Sequence, residues 1–175
     1  MRHKKLVYIL LLLFIISIPG TGGCLPNKKS SQPVNKKITL YFADQQAMYL
    51  LPETRTVSVS DQASKEEIVK KALEELIKGP QKEGHYPTIP EQTEILEVKK
   101  EKDILYLDFS EELQTRHPGG SAGEILTIMS IVNTTAPLAG VEKVQILITG
   151  EKQETLAGHI DISEPIKQDT AIIKK

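Results

Sequence analysis

Gly119-Gly-Ser-Ala-Gly123 has the Gly-x-Ser-x-Gly pattern of a nucleophile elbow. That chemistry needs a strand running straight into the serine, so that a strained turn exposes its hydroxyl. Here a loop, Gln114-Thr-Arg-His-Pro118, precedes the pattern, and the nearest strand-like run ends near Ser110. The expected order of serine, acid, histidine also fails. The only histidine after Ser121 is His159, and Asp161 lies behind it. Helix capping is the alternative, and the spacing favours it. Ser121 with Glu124 three residues later reads as a capping box, the hydroxyl taking an orphan amide and the carboxylate reaching back.

Other reactive side chains are scattered. His85, His117 and His159 form no i, i+4 pair on a helix and have no cysteine nearby, so a zinc or other metal site is not expected. His159 and Asp161 lie two apart on a strand-like run, either as a pH-sensitive pair or as a solvent-facing surface. Asp108, between Leu107 and Phe109, is either a cap for the Ser110–Leu113 turn or a ligand group on a polar sheet face. Three phenylalanines, five tyrosines and no tryptophan make a poor platform for stacking sugars. No catalytic residue and no cofactor is expected.

The address is clearer than the chemistry. Arg2, Lys4 and Lys5 precede an apolar run from Leu6 to Ile18, and Pro19-Gly-Thr-Gly-Gly23 leads to the single cysteine, Cys24. Residues 1–23 therefore read as a signal peptide, too short and wrongly flanked for an ordinary spanning helix. A lone cysteine behind small residues points to a bacterial lipoprotein with Cys24 as its acylated N-terminus, anchored on the outer face of the cell membrane. The other reading is a plain secretory signal with an incidental cysteine. Thr21-Gly-Gly-Cys24 lacks the usual leucine that opens a lipobox. More than one acyl chain would make the anchor stable.

Of 22 basic and 23 acidic residues, the first 23 positions hold three basic and no acidic ones, so the mature chain is net acidic. That disfavours nucleic acid as a partner, because phosphate binding wants a basic field. With one cysteine there is no internal disulfide, and about 130 ordered residues suffice for a single apolar core. Residues 24–37 read as the lipidated cysteine and a polar tether. Its Lys28, Lys29, Lys36 and Lys37 either attract anionic head groups or are simply solvated.

The elements follow from periodicity. Ile38, Leu40 and Phe42 alternate on one strand. Met48–Ser60 returns, and Pro52 marks it as an edge strand or bulge. A first helix runs from Ser64, boxed with Glu67, to about Lys78, with Val69, Ala72, Leu73, Leu76 and Ile77 buried. Its four-apart pairs are Glu66–Lys70 and Glu67–Lys71. Thr93–Lys99 and Ile104–Ser110 form a hairpin that puts Leu96 and Val98 beside Leu105, Leu107 and Phe109. A second helix begins at the glycine loop, carries no charge from Ile125 to Gly140, and ends at Pro137. Val144–Thr149 and Thr155–Ser163 complete the set, and residues 167–175 read as a polar tail. The order β-β-α-β-β-α-β-β gives an α+β fold, a largely antiparallel sheet with two helices on one face.

One stripe of the second helix, Thr127, Ser130, Asn133 and Thr134, is small, neutral and polar, and Thr127, Ser130 and Thr134 are its candidate contact residues. It either makes a protein interface, self-association included, or is covered within the domain by Met48–Ser60 or the C-terminal residues.

Several segments, from about Ile38 to Ile166, together resemble the GerMN domain of sporulation and germination lipoproteins from spore-forming bacteria. They are Lys78-Gly-Pro80, Ile89-Pro-Glu-Gln-Thr93, Leu107-Asp-Phe-Ser110, Gly119-Gly-Ser-Ala-Gly-Glu124, Val144-Gln-Ile-Leu-Ile148 and Gly158-His-Ile-Asp-Ile-Ser-Glu-Pro165. The resemblance implies export, lipid anchoring, no catalytic residues, and a fold similar to the ring-building motif of envelope secretion complexes. It also implies partners among envelope or sporulation-complex proteins. The protein that names the family carries two such domains in tandem, and this chain carries one. A non-enzymatic binding or assembly module of the envelope is the expectation. A sensor of small ligands or cell-wall fragments is the alternative.

Overall fold

The computed structural model describes residues 32–174. Cys24 and residues 1–23, where a signal peptide is expected, lie outside the described residues. The first sheet is the hairpin β1 (Pro33–Asp44) and β2 (Leu50–Ser60), with a two-residue strand β3 (His85–Tyr86) on the other edge of β1. β1 begins within the expected tether, because its first residues already pair with β2, from Pro33 opposite Ser60 onward. Ile38, Leu40 and Phe42 alternate inward and are fully buried or nearly so. Pro52 interrupts nothing. It lies on an edge strand opposite Tyr41, where its missing N–H is not needed.

α1 (Lys65–Ile77) starts at the expected capping box: Ser64 accepts from the Glu67 amide and Glu67 from the Ser64 amide. Ile68 joins the expected buried stripe of Val69, Ala72, Leu73 and Leu76. The four-apart pairs are not formed. Glu67 is occupied by the cap, and Lys71 pairs instead with Glu74 at 2.9 Å.

The second sheet has the order β4-β5-β6-β7. β4 (Ile95–Glu101) and β5 (Ile104–Phe109) form the expected hairpin, and β5 runs parallel to β6 (Lys143–Ile148). A register shift between Ile95 and Glu97 reverses the expected face at that end. Ile95 packs on the core, and Leu96 points to solvent. Between β5 and β6 lie a single turn, α2 (Glu112–Thr115), and the long helix α3 (Ser121–Ala139). Thus α1-β4-β5-α3-β6 keeps the expected α-β-β-α-β order. Thr155–Ser163 is not a strand and holds only one bridge, Thr155 to Asp161. The last strand is β7 (Ile166–Lys167), antiparallel to β6.

The class is α+β, as expected, but the sheet is two sheets. Each buries one face on the helices, and α3 contacts β1 in one sheet and β6 in the other. A helix apolar around most of its circumference must be covered on most sides. From Leu126 to Ala136 every α3 residue is buried. α3 also continues past Pro137 and stops at Gly140, whose φ of 64° is the left-handed closure that glycine supplies cheaply. Lys65 and Lys100 each donate to the Ala139 carbonyl at 3.2 Å, placing cations where the helix end is negative.

The supposed polar tail belongs to the fold. Leu50 of β2 donates to Ile172 and accepts from Lys174, and Ile172 and Ile173 pack on the core. Among the described residues, no helix is long and apolar enough to cross a membrane.

Candidate functional site

The glycine loop does not build a capping box. The chain enters α3 through Gly119 and Gly120 at φ values of 82° and 80°, a region serine avoids. The cap position therefore falls on Gly120, with no side-chain cap, and Ser121 becomes the first helical residue, exposed. Ser121 is also no elbow nucleophile by position, since no strand leads into it and the nearby His117 ring is engaged elsewhere. Ser121→Ala should therefore change the unfolding free energy by less than about 0.5 kcal/mol, rather than the ~1 kcal/mol of a lost cap, as urea denaturation will show.

Glu124 turns inward instead. Its side chain is fully buried, and one oxygen accepts the amides of Leu156 (3.0 Å), Ala157 (2.8 Å) and Ile160 (3.2 Å). The other accepts the His159 amide at 2.9 Å and lies 3.0 Å from His159 Nδ1. Burial pushes this carboxyl up, and the donated amides with His159 outweigh it, so the pKa falls below the ordinary carboxylate value. Four amides in an irregular loop thus find one buried acceptor, which explains how Thr155–Ile162 stays folded without a strand. The His159–Asp161 pair does not form. His159 leans on Glu124, and Asp161 accepts from the Ser163 amide and hydroxyl. Asp108 does not cap the Ser110–Leu113 turn; it accepts the Gly150 amide at 2.8 Å, at the turn after β6.

The expected interface on α3 is interior. Thr127, Ser130 and Thr134 are 2 %, 0 % and 1 % exposed, because β1 and the chain around Thr88 lie over them. Small hydroxyls suit this position, since they let backbone approach and then bond to it. The Gly119 amide donates to His117 Nδ1, which leaves Nε2 to donate to Thr127 Oγ1 at 2.9 Å. Thr127 bonds in turn to the Thr88 carbonyl. Ser130 donates to the Tyr41 carbonyl (2.8 Å), and Thr88 Oγ1 is 2.7 Å from its hydroxyl. Asn133 exchanges two hydrogen bonds with the Asp169 backbone, so the C-terminal residues do cover part of the stripe. Burial lowers the pKa of His117, favouring the neutral ring this chain of bonds requires.

A further buried polar group went unread in the sequence. Glu53 and Arg55, on the inward face of β2, are 2 % and 7 % exposed and paired at 2.7 Å. Arg55 also bonds the Glu75 and Gly79 carbonyls, and its guanidinium carbon lies 5.3 Å from the centre of the Phe42 ring. Glu53 accepts the Gln81 and Lys82 amides, and His85 Nδ1 stands 3.5 Å away. The pair fixes the end of α1 and the following loop to the sheet. Alternation offered a signal: Glu53 and Arg55 share a face with buried Val57.

That clamp holds one wall of a cleft of about 400 Å³, lined by Lys78, Pro80, Pro87, Pro90, Arg116 and Pro118 among others. A second cleft of about 250 Å³ shares Pro87, Thr88 and Pro118 with it and extends to Gln45, Ala47 and Tyr86. Beside it Met48, Tyr49 and Tyr86 are exposed, at 61 %, 40 % and 44 %. Lys78-Gly-Pro80 and the Ile89-Pro90 step, noted in the sequence as marks of resemblance, thus prove to be cleft walls. Proline surfaces with a few charges at the rim suit binding of a polypeptide or small molecule. Among the described residues no cluster of His, Cys, Asp or Glu could hold a metal.

The comparisons with known proteins agree with this architecture. A family model described as Germane, sporulation and spore germination, matches residues 39–154. A candidate lipoprotein from Clostridium perfringens is 25% identical with a TM-score of 0.54, over 76% of this chain and 87% of that one. The first GerMN domain of the Bacillus subtilis sporulation protein GerM is 21% identical with a TM-score of 0.53, covering 77% of this chain and 96% of the domain. The tandem GerMN domains of the same protein give 18% identity and a TM-score of 0.59, over 85% of this chain and 50% of theirs, and these last two likenesses concern the fold alone. No curated protein matches the chain. With most of its length matched by the family model and its α+β layout shared with these domains, the chain belongs to the Germane family of sporulation and spore germination.

Proposed function

We propose that this protein is a lipid-anchored, extracytoplasmic module of the cell envelope that binds or assembles other proteins, without catalysis, in spore formation or germination. The observation that carries the reading is where the reactive-looking groups sit. Glu124, Thr127, Ser130, His117, Glu53 and Arg55 are each engaged in internal hydrogen bonds, while the clefts are walled by proline and rimmed by single charges. The family description and the Clostridium perfringens relative support an envelope role linked to sporulation. Acylation of Cys24 would supply the membrane attachment. The proline-lined cleft also has a volume suited to a small ligand, which keeps the sensing role as the second reading.

The test is a strain of the source bacterium whose only copy carries Cys24→Ala. The variant should leave the membrane fraction, and sporulation or germination should fall to the level of a deletion strain. Retention of Cys24→Ala at the membrane would show that the cysteine is not the anchor. Normal sporulation and germination in the deletion strain would remove the link to spores.

A further inference from the structure

We propose that the free edge of β1 between Lys37 and Tyr41 accepts an added β-strand from an acidic, extended segment of a partner protein. This rests on the binding role above and names where that role is exercised.

β2 pairs with β1 along nearly its whole length, but on the opposite edge β3 reaches only Ala43 and Asp44. Within a strand the N–H and C=O of one residue point to the same side, and the side alternates from residue to residue. Ala43 faces β3. The Tyr41 carbonyl faces the Ser130 hydroxyl, and Tyr41 stands opposite Pro52, which has no N–H to exchange. Lys37, Thr39 and Tyr41 therefore all turn their backbone groups away from β2. Among the described residues no backbone or side chain bonds Lys37 or Thr39 on that side.

A cleft of about 250 Å³ runs along this edge, with Lys37, Thr39 and Tyr41 on one wall and Asn133, Thr134 and Pro137 on the other. Thr134, 1 % exposed, lines it, and its hydroxyl has no hydrogen-bond partner among the described residues. The stretch from Lys37 to Tyr41 is about 17 Å long, with the backbone groups of Lys37 and Thr39 open and the Tyr41 carbonyl already held by Ser130. Donors and acceptors recurring at every second residue match a peptide backbone rather than a small molecule. β3 leaves the sheet at Pro87, so an incoming strand would continue its line past Ser130.

Charge selects the occupant. From Pro33 to Ala43 the strand carries Lys36 and Lys37 and no carboxylate, and Lys37 stands exposed at the cleft. A second β1 paired in parallel, or antiparallel about Lys37, would bring lysine to lysine, which cross-strand repulsion opposes, whereas an acidic strand gains at the same positions.

The probe is a capped peptide of about ten residues alternating glutamate and valine, long enough to span the edge, with a lysine–valine peptide as control. Amide exchange is read by NMR on the full-length protein in detergent micelles. The acidic peptide should slow exchange at Lys37 and Thr39 by roughly tenfold, leaving Leu40 and Phe42 as they were. The basic peptide should do nothing, and Lys37→Glu should reverse the preference. Absence of slowing with either peptide, or equal slowing with both, would overturn the proposal. So would slowing that appears on raising the protein concentration alone, since the occupant would then be a second copy. A protein that captures an envelope partner while Lys37 and Thr39 stay unprotected refutes the edge and leaves the binding role intact.

Discussion

Glu124→Leu should destabilise the protein by about 3–5 kcal/mol, the range for removing one partner from a buried, hydrogen-bonded charge. Four amides, those of Leu156, Ala157, His159 and Ile160, would lose their shared acceptor, whose carboxylate is itself fully buried. Glu124→Gln keeps the shape but sets an amide group against some of those same donors, so it should fall between leucine and wild type. The loss should be local before it is global, with Thr155–Ile162 exchanging its amides first. Acid provides a second readout. The Glu124 carboxyl is held below its ordinary pKa in the fold, so folding is favoured by its ionisation. A group of that kind contributes fully above its unfolded pKa, and the contribution disappears as pH falls through the folded value. Stability should therefore decline as the solution is acidified below about pH 5, and the decline should be shallower in Glu124→Gln. Glu53 and Asp44, also lowered, act in the same direction and will remain in the variant.

Elements governed by local rules were legible in the sequence. The Ser64–Glu67 box, the stripe of α1, the inward alternation of Ile38, Leu40 and Phe42, and the β4–β5 hairpin each depend on neighbours a few residues apart. What was hidden depends on distant partners. Ser121 and Glu124 have the spacing of a cap, but two glycines with positive φ shifted the helix start by one residue. Glu124 was then free to serve amides more than thirty residues away. The charge-free stripe of α3 has two sequence-equivalent explanations, an outside partner or an inside one. Only the position of β1 and the Thr88 segment separates them. Leu96 was misplaced for a similar reason, since the register shift beside it leaves no mark in the sequence pattern. The candidate clefts were the least legible part. Their walls come from Gly79-Pro80, Pro87–Pro90 and Arg116–Pro118, segments that alternation and helical periodicity both pass over.

Ser130→Glu should have an effect as large as that of Glu124→Leu, for the opposite reason. Ser130 is fully buried, donates to the Tyr41 carbonyl, and lies 2.7 Å from the Thr88 hydroxyl, so a carboxylate there is shut off from solvent and set against a carbonyl oxygen. An unpaired buried charge of this kind costs several kcal/mol, and the longer side chain must also displace β1 or the Thr88 segment. Lys37→Glu, on the exposed edge of the same strand, should by contrast leave stability within about 0.5 kcal/mol of wild type. The polar side chains of α3 thus hold the fold together from within. The urea midpoint of Ser130→Glu tests that interior role most directly. A fall in the midpoint equivalent to about 3 kcal/mol or more, with unchanged dependence on urea, is the expected result. An unchanged midpoint, accompanied by loss of partner capture from the envelope, would put Ser130 on an outer surface and contradict the assignment of α3 to the interior.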